Sequence, residues 1–375
     1  MIINRLKIID RKREHPITIV DPSDFETCTD RRISVEDIVN DPHFSLYCID
    51  PGTKSVLFVE CDDIEFVESA PFLYQAQYQR AVSLASMPIG LFHEIGDTIP
   101  LPKEGTIWVH SVGRCGSTLL SKVLQSVPQT RSLSEPDDLT QLARLKETNN
   151  MPEAEVKKYL RSSIRWRSKA GSKAHHKWLA IKPRSEVMAL AEQIRESVEG
   201  AKHFFLYRDA VSWMQSNFKN FPEERNTYDP ELNQKMEENW ARMLPLLREA
   251  RQPGNPMNPI QVRTWGWITC MEAYLDLQKS GVPICAATYA GLIEKPEWVL
   301  KKFFEFYGIH GVDWKAIEEV LAVDSQAGTM FDREERKKLT RELTPELIQD
   351  IFELVASRPS LRTPDVTLPG TLGSS

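Results

Sequence analysis

One short stretch of the chain, residues 108–120, constrains the possible folds more than any other. An apolar, β-prone run ends at Ser111, a turn bracketed by Gly113 and Gly116 follows, and a helical pattern begins at Ser117. Glycines let the backbone bend around an anion, the N–H groups of such a turn point inward, and the following helix adds the positive end of its dipole. The stretch therefore predicts a phosphate cradle between a strand and a helix.

The cradle does not have the spacing of a nucleoside triphosphate kinase loop. That loop reads G-x-x-x-x-G-K-[ST]. Here only Arg114 and Cys115 separate the two glycines, and no lysine follows the second one. The residues favour a loop that holds a phosphate without the usual arrangement of magnesium and triphosphate.

Strands and helices alternate along the chain downstream of residue 105. The predicted strands are 106–112, 178–182, 203–208 and 283–289, and the helical patterns that follow them are 117–127, 185–198, 210–219 and 296–307. This alternation indicates parallel strands with crossover helices, and ligands of such sheets bind beyond the carboxyl ends of the strands. The predicted fold class is α/β, a three-layer P-loop-like domain with a central parallel sheet.

A second motif lies where the predicted strand 203–208 meets its helix. Arg208 ends the strand, and Ser216 follows about two helical turns later on nearly the same face. A guanidinium is a planar fork that matches phosphate oxygens. Together with the cradle, this motif resembles the nucleotide-binding motifs of the sulfotransferases, which use 3′-phosphoadenosine 5′-phosphosulfate as donor. Two cradle residues differ from the family's common pattern, because Gly113 replaces a proline and Cys115 replaces a serine.

The resemblance implies a set of residues that bind this donor and its product, adenosine 3′,5′-bisphosphate. The set is Arg114, Cys115, Gly116, Ser117, Thr118, Arg208, Ser216, Tyr289 and Ser325. Arg208 and Ser216 would hold the 3′-phosphate. Tyr289 would lie near the adenine, although Ala290 and Gly291 replace the acidic pair that follows the family's tyrosine, and a strand-end core tyrosine is the alternative. Ser325 would close on the 3′-phosphate or simply belong to a turn that ends a helix.

The resemblance also implies catalytic roles for Glu135, Lys182 and Arg114. Glu135 follows a short predicted strand, at the place where tyrosylprotein sulfotransferases and related bacterial and carbohydrate enzymes carry a glutamate. It would act as the base that takes the acceptor proton, while Lys182 and Arg114 would stabilise the leaving phosphate oxygen. The alternatives are a first-turn acid of the helix after Pro136 for Glu135 and a snorkelling strand-end residue for Lys182. Arg184 is a weaker candidate for an acceptor contact.

The sequence divides into three predicted regions. Residues 1–100 are predicted as a small α+β appendage, with a hairpin over residues 44–59 and a helix over residues 69–87. Residues 101–357 form the sulfotransferase-like domain. Residues 358–375 are rich in Pro, Gly, Ser and Thr, a composition typical of disorder.

Overall composition excludes several classes of protein. The formal net charge is −6, which does not favour nucleic acid or an anionic membrane as a partner. Six cysteines lack the density of a disulfide scaffold, and no His/Cys cluster suggests a metal. The N-terminus has no signal-like apolar core, and no stretch approaches the about 18 apolar residues of a membrane span. We therefore expect a cytoplasmic enzyme without a metal, a nucleic-acid partner or a membrane span.

One local segment reverses this charge balance. Residues 161–184 contain eight Lys and Arg and no acid, with His175, His176 and two tryptophans interleaved. A basic loop that closes over an anionic donor or acceptor, a nucleic-acid strip, and a solvated helix-loop face are the three interpretations.

Three functions remain open at this point. The first is a sulfotransferase that acts on a small-molecule or carbohydrate hydroxyl group, although the sequence does not distinguish a sugar, lipid, phenol or peptide tyrosine. The second is a P-loop phosphotransferase that uses Mg-ATP. The third is a non-catalytic nucleotide-binding domain that keeps the cradle without turnover.

Overall fold

The structure is a computed structural model that describes residues 1–149, 151–169, 171, 176–220, 229–252, 254–329, 331–332, 338 and 341–373. Backbone contacts divide the chain into two units. The first unit comprises residues 1–108 and 121–202, and the second comprises residues 109–120 and 203–375.

The N-terminal part of the first unit is a five-stranded antiparallel sheet. Its strands are β1 (Ile2–Arg11), β2 (Phe25–Ser34), β3 (Phe44–Asp50), β4 (Ser55–Cys61) and β5 (Ala81–Pro88), in the order β2-β1-β5-β4-β3. The hairpin predicted over residues 44–59 is confirmed, because β3 and β4 pair antiparallel across a turn. In that turn the Asp50 carboxylate accepts hydrogen bonds from the backbone N–H groups of Gly52 and Thr53.

The helix predicted over residues 69–87 is wrong for its second half. A helix covers Leu73–Arg80, and β5 begins at the next residue, Ala81. β5 pairs with β4 on one side and with β1 on the other. Pairing on both sides decides the conformation here, because strand formation depends on such long-range contacts more than on the local pattern.

A second sheet of five strands is parallel and confirms the predicted α/β class. Its strands are β6 (Gly105–Ser111), β7 (Thr130–Ser134), β8 (Trp178–Lys182), β9 (Ala201–Tyr207) and β10 (Ile284–Thr288), in the order β10-β9-β6-β8-β7. β7 and β8 belong to the first unit, and β9 and β10 to the second. All residues of β6, β7 and β8 are buried, as is typical of strands covered on both faces.

Helices follow most strands of the parallel sheet. In chain order the helices are α1 (Val35–Asn40), α2 (Ile64–Ser69), α3 (Leu73–Arg80), α4 (Ile89–Gly96), α5 (Ser117–Ser126), α6 (Asp138–Thr148), α7 (Glu153–Ser168), α8 (Ala191–Ser197), α9 (Ala210–Asn220), α10 (Pro230–Ala241), α11 (Pro245–Ala250), α12 (Pro259–Lys279), α13 (Tyr289–Glu294), α14 (Pro296–Tyr307), α15 (Trp314–Ala322) and α16 (Pro345–Ala356). Short 3-10 helices cover Pro22–Asp24 and Ser185–Leu190. The helical patterns predicted after the four strands are confirmed, with the one at 185–198 divided between a 3-10 helix and α8.

The C-terminal segment has fixed contacts in the second unit, whereas its composition predicts disorder. The backbone N–H of Leu372 donates to the Ala286 carbonyl at 2.7 Å, and Ala286 N–H donates to the Gly370 carbonyl at 3.2 Å. Leu368 N–H donates to the Tyr207 hydroxyl at 3.1 Å. β10 is an edge strand, so this segment satisfies backbone groups that the sheet leaves unpaired.

Over the described ranges, every helix falls short of the length and apolar character that a bilayer crossing requires.

Candidate functional site

The predicted cradle is a tight turn between β6 and α5 in the second unit. Gly113, Arg114 and Gly116 have φ angles of +75°, +52° and +85°, all in the left-handed region. The Ser111 hydroxyl accepts a hydrogen bond from Gly113 N–H and lies 3.3 Å from the Ser117 hydroxyl. These hydrogen bonds close the turn, and α5 begins directly after it. At the N-terminus of a helix, backbone N–H groups without a partner inside the helix and the helix dipole favour binding of an anion.

Gly116 is required at its position for two reasons. Its φ of +85° is one that residues with a side chain rarely adopt. A Cβ there would also lie 3.0 Å from Leu292 Cδ2 and 3.3 Å from Tyr289 Cδ2. A larger residue here would therefore need both a strained backbone conformation and a shift of the Leu292 and Tyr289 side chains by a few tenths of an ångström.

Cys115 points into the protein rather than outward. Its side chain is buried, and the thiol lies 3.3 Å from the Leu206 carbonyl oxygen, to which it donates. The Trp213 indole N–H supports the same turn, since it lies 3.0 Å from the carbonyl oxygens of Val112 and Gly113. The Cys115 thiol and the Trp213 indole thus hold the backbone of the turn from the inside of the protein.

The structure brings all nine predicted donor-binding residues to one cavity of about 230 Å³ in the second unit. They are Arg114, Cys115, Gly116, Ser117, Thr118, Arg208, Ser216, Tyr289 and Ser325. The rest of the lining was not predicted from the sequence; it is Leu119, Leu292, Ile293, Pro296, Leu321, Val323, Asp324 and Gln326. Most of these are apolar, and their positions next to Tyr289 and Ser325 in the chain were the available signal.

Arg208 stands at the carboxyl end of β9 with its side chain over an aromatic ring. The guanidinium carbon lies 4.7 Å from the centre of the Tyr289 ring, and Tyr289 is half-buried rather than part of the core. The neighbouring Asp209 carboxylate accepts a hydrogen bond from Ser212 N–H at 2.8 Å. Asp209 therefore caps the first turn of α9.

Arg114 is held by the late turn that contains Ser325. Its Nη1 donates to the Gln326 side-chain oxygen at 3.4 Å, and its guanidinium carbon lies 4.3 Å from the centre of the Phe331 ring. Asp324 accepts a hydrogen bond from Gln326 N–H and so shapes the turn. The contact with Phe331 could not be read from the sequence, because more than 200 residues separate the two partners.

Glu135 and Lys182 form an ion pair in the first unit. They follow and end the neighbouring parallel strands β7 and β8. The Lys182 ammonium donates to Glu135 Oε1, and Glu135 N–H donates to the Lys182 carbonyl at 2.6 Å. Glu135 has a φ of +58°, which turns it out of the strand direction. α6 begins only at Asp138, so Glu135 precedes the first turn of that helix.

Arg184 and Asp137 continue this ionic network. Arg184 Nε lies 2.8 Å from Asp137 Oδ1 and 3.8 Å from Glu135 Oε2. Asp137 is fully buried, and its second oxygen accepts a hydrogen bond from Val20 N–H at 2.9 Å. Burial raises the pKa of the Asp137 carboxyl to about 6, although the Arg184 guanidinium acts in the opposite direction.

Most of the basic segment 161–184 is bound inside the first unit. Arg165 donates to the Ile99 carbonyl, Arg167 pairs with Asp138, and Lys169 donates to the carbonyls of Ile38 and Asp41. Lys182 and Arg184 pair with carboxylates as described. Because these five side chains are bound within the unit, they form neither a nucleic-acid-binding surface nor a solvated helix-loop face. Lys173 and His175 lie outside the described residues.

In the part of the chain that the structure describes, no group of three or more His, Cys, Asp and Glu side chains is arranged to hold a metal ion.

Comparisons with known proteins give likenesses of fold. No protein-family model and no curated protein matches the chain. Among solved structures, the sulfotransferase domain from the curacin biosynthetic pathway has a TM-score of 0.39 at 16% identity, over 68% of this chain and 98% of that one. Sulfotransferase STF1 from Mycobacterium tuberculosis has a TM-score of 0.40 at 11% identity, over 69% and 78%. Mouse sulfotransferase SULT7A1 complexed with PAP has a TM-score of 0.36 at 14% identity, over 71% and 88%.

Proposed function

We propose that this protein is a sulfotransferase that moves the sulfuryl group of 3′-phosphoadenosine 5′-phosphosulfate to a hydroxyl group of a small molecule or carbohydrate. One observation carries the proposal. Residues chosen from five separate parts of the sequence, at 114–118, 208, 216, 289 and 325, line a single cavity. An unrelated turn, a solvated strand-end arginine and a core tyrosine would have no reason to meet.

The lining of the cavity fits a nucleotide with phosphates at both ends. The left-handed turn 113–116 and the start of α5 would hold the 5′-phosphosulfate through backbone N–H groups. Arg208 and Ser216 would hold the 3′-phosphate, for which a guanidinium fork is suited. Tyr289 and the apolar residues beside it would contact the adenine.

The chemistry assigns separate roles to three side chains. When bound, the donor supplies a sulfuryl group, whose bond to the bridging phosphate oxygen breaks as the acceptor oxygen bonds to sulfur from the opposite side. Glu135 takes the acceptor proton. Arg114 and Lys182 stabilise the negative charge that remains on the leaving phosphate oxygen. A sulfuryl group carries less charge than a phosphoryl group, so in this proposal two protein cations suffice.

The proposal is tested by cleavage of labelled donor in the presence of EDTA. With water as acceptor, we expect the protein to release sulfate and adenosine 3′,5′-bisphosphate in equal amounts without added magnesium. ATP with magnesium, assayed in parallel, should remain intact. Consumption of ATP together with an intact phosphosulfate donor would instead assign the cavity to a phosphotransferase.

A further inference from the structure

Arg184 is held in place by partners other than Glu135. Its Nε pairs with Asp137, its Nη1 donates to the Ile17 carbonyl at 2.9 Å, and its guanidinium carbon lies 4.3 Å from the centre of the Tyr74 ring. These contacts approach the guanidinium along its edge and on its face. The position of Arg184 is therefore set independently of the carboxylate that it faces at 3.8 Å, Glu135.

The two oxygens of Glu135 face two different cations. Lys182 binds Oε1, and Arg184 lies beside Oε2. An ammonium is a point charge on a flexible stem, whereas a guanidinium is planar and preorganised. In the proposed reaction Lys182 serves the leaving oxygen, so it does not restrain Glu135 throughout. Arg184 is then the remaining cation in contact range of Glu135 among the ion pairs that the described residues form.

The backbone at Glu135 is also fixed. A left-handed φ at a residue other than glycine is unfavourable and persists where surrounding contacts enforce it. Here the contact is the 2.6 Å hydrogen bond from Glu135 N–H to the Lys182 carbonyl. The next residue is Pro136, whose ring fixes its own φ angle. The main chain thus sets where the side chain starts, and the orientation of the carboxylate depends on its cations.

We propose that Arg184 is the positioning residue of Glu135: anchored by Asp137, Ile17 and Tyr74, it keeps the carboxylate oriented to take the acceptor proton when Lys182 is engaged elsewhere. This role rests on the proposed function, in which Glu135 is the base. It also gives the N-terminal 100 residues a purpose, because Ile17, Tyr74 and the Val20 N–H that binds Asp137 all belong to them.

The test compares Arg184→Lys and Arg184→Ala with Arg167→Lys as a matched control. Arg167 forms the same kind of buried pair, with Asp138, in the same unit, and the structure gives it no contact with Glu135. Measurements are the rate of donor cleavage at saturating donor, the donor KM, the affinity for adenosine 3′,5′-bisphosphate and the melting temperature. Misplacement of a reacting group by about 1 Å can lower a rate by about 100-fold.

We expect both Arg184 variants to lose at least about tenfold in kcat while KM and bisphosphate affinity stay within about twofold. Added guanidinium should restore part of the rate in Arg184→Ala, which a purely structural role would not predict. Arg167→Lys should lower the melting temperature about as much as Arg184→Lys does and should keep the kcat of the wild-type protein. If Arg184→Ala does not fold, the double variant with Asp137→Asn removes the uncompensated buried carboxylate and takes its place.

A second readout does not depend on turnover. Glu135→Gln should lower the melting temperature less in the Arg184→Ala background than in the wild-type protein, since the contact between the two side chains is then already lost.

Two outcomes distinguish the inference from the function on which it rests. Full kcat in Arg184→Lys and Arg184→Ala, beside an active wild-type protein, overturns the positioning role alone. A wild-type protein that neither binds the bisphosphate nor cleaves the donor overturns the proposed function and the positioning role together.

Discussion

Replacing Glu135 with glutamine should lower the rate of sulfuryl transfer at saturating donor by at least about 100-fold, because the amide keeps the shape of the side chain but cannot accept the acceptor proton. Binding of adenosine 3′,5′-bisphosphate should be unchanged, since Glu135 is not among the residues that line the donor cavity. Single-turnover release of sulfate from labelled donor measures the first quantity, and calorimetric titration with the bisphosphate measures the second.

Glu68→Gln is the matched control for this variant. Glu68 is a carboxylate of the first unit that, like Glu135, pairs with a cation; it is buried and lies 2.5 Å from Arg131. Loss of that pair should destabilise the protein without slowing transfer. A Glu135→Gln variant with full activity would remove Glu135 from the role of base, and equal losses in both variants would indicate damage to the first unit as a whole.

Replacing Arg208 with alanine should weaken binding of adenosine 3′,5′-bisphosphate by about 10- to 100-fold, the value of a charge-assisted hydrogen bond to phosphate. AMP lacks the 3′-phosphate, so its affinity should change by less than about threefold. The ratio of the two affinities is the informative quantity, because it isolates the 3′-phosphate from every contact that the two ligands share.

Arg263→Ala provides the control for Arg208. The Arg263 guanidinium carbon lies 4.6 Å from the centre of the Trp240 ring, much as Arg208 lies 4.7 Å from that of Tyr289, and it does not line the cavity. Its loss should leave both affinities unchanged. If Arg208→Ala weakened the binding of AMP as much as the binding of the bisphosphate, the proposed 3′-phosphate contact would be wrong.

The parallel sheet and the predicted part of the cavity lining, at the cradle and at Arg208 and Ser216, follow from local signals in the sequence. The cradle combines glycine positions, a preceding apolar run and a helix start within residues 108–120, and Arg208 and Ser216 share one strand–helix junction. The residues of each motif are close together in the sequence, so the spacing between them predicts their relative positions in the folded protein. The confirmed strand–helix alternation then accounts for the edge of the sheet at which they lie.

Other parts of the structure depend on partners that are distant in the chain. β5 was predicted as helix, because nothing in residues 81–88 indicates pairing with β1, which lies more than 70 residues upstream. In the sequence Arg167 belongs to a basic segment. In the structure its charge is neutralised by Asp138, which lies 29 residues earlier in the chain. The contact of the Phe331 ring with Arg114 likewise joins residues that are distant in the chain. Local charge and propensity cannot supply these pairings, since they form only when the chain folds.

The most direct test of the account is a calorimetric titration of the unmodified protein with adenosine 3′,5′-bisphosphate, AMP and ATP with magnesium. We expect tight binding of the bisphosphate and at least about tenfold weaker binding of AMP, because only the first ligand reaches Arg208 and Ser216 with a phosphate. A preference for ATP with magnesium, or no binding of the bisphosphate, would contradict the assignment of this cavity to a sulfuryl donor.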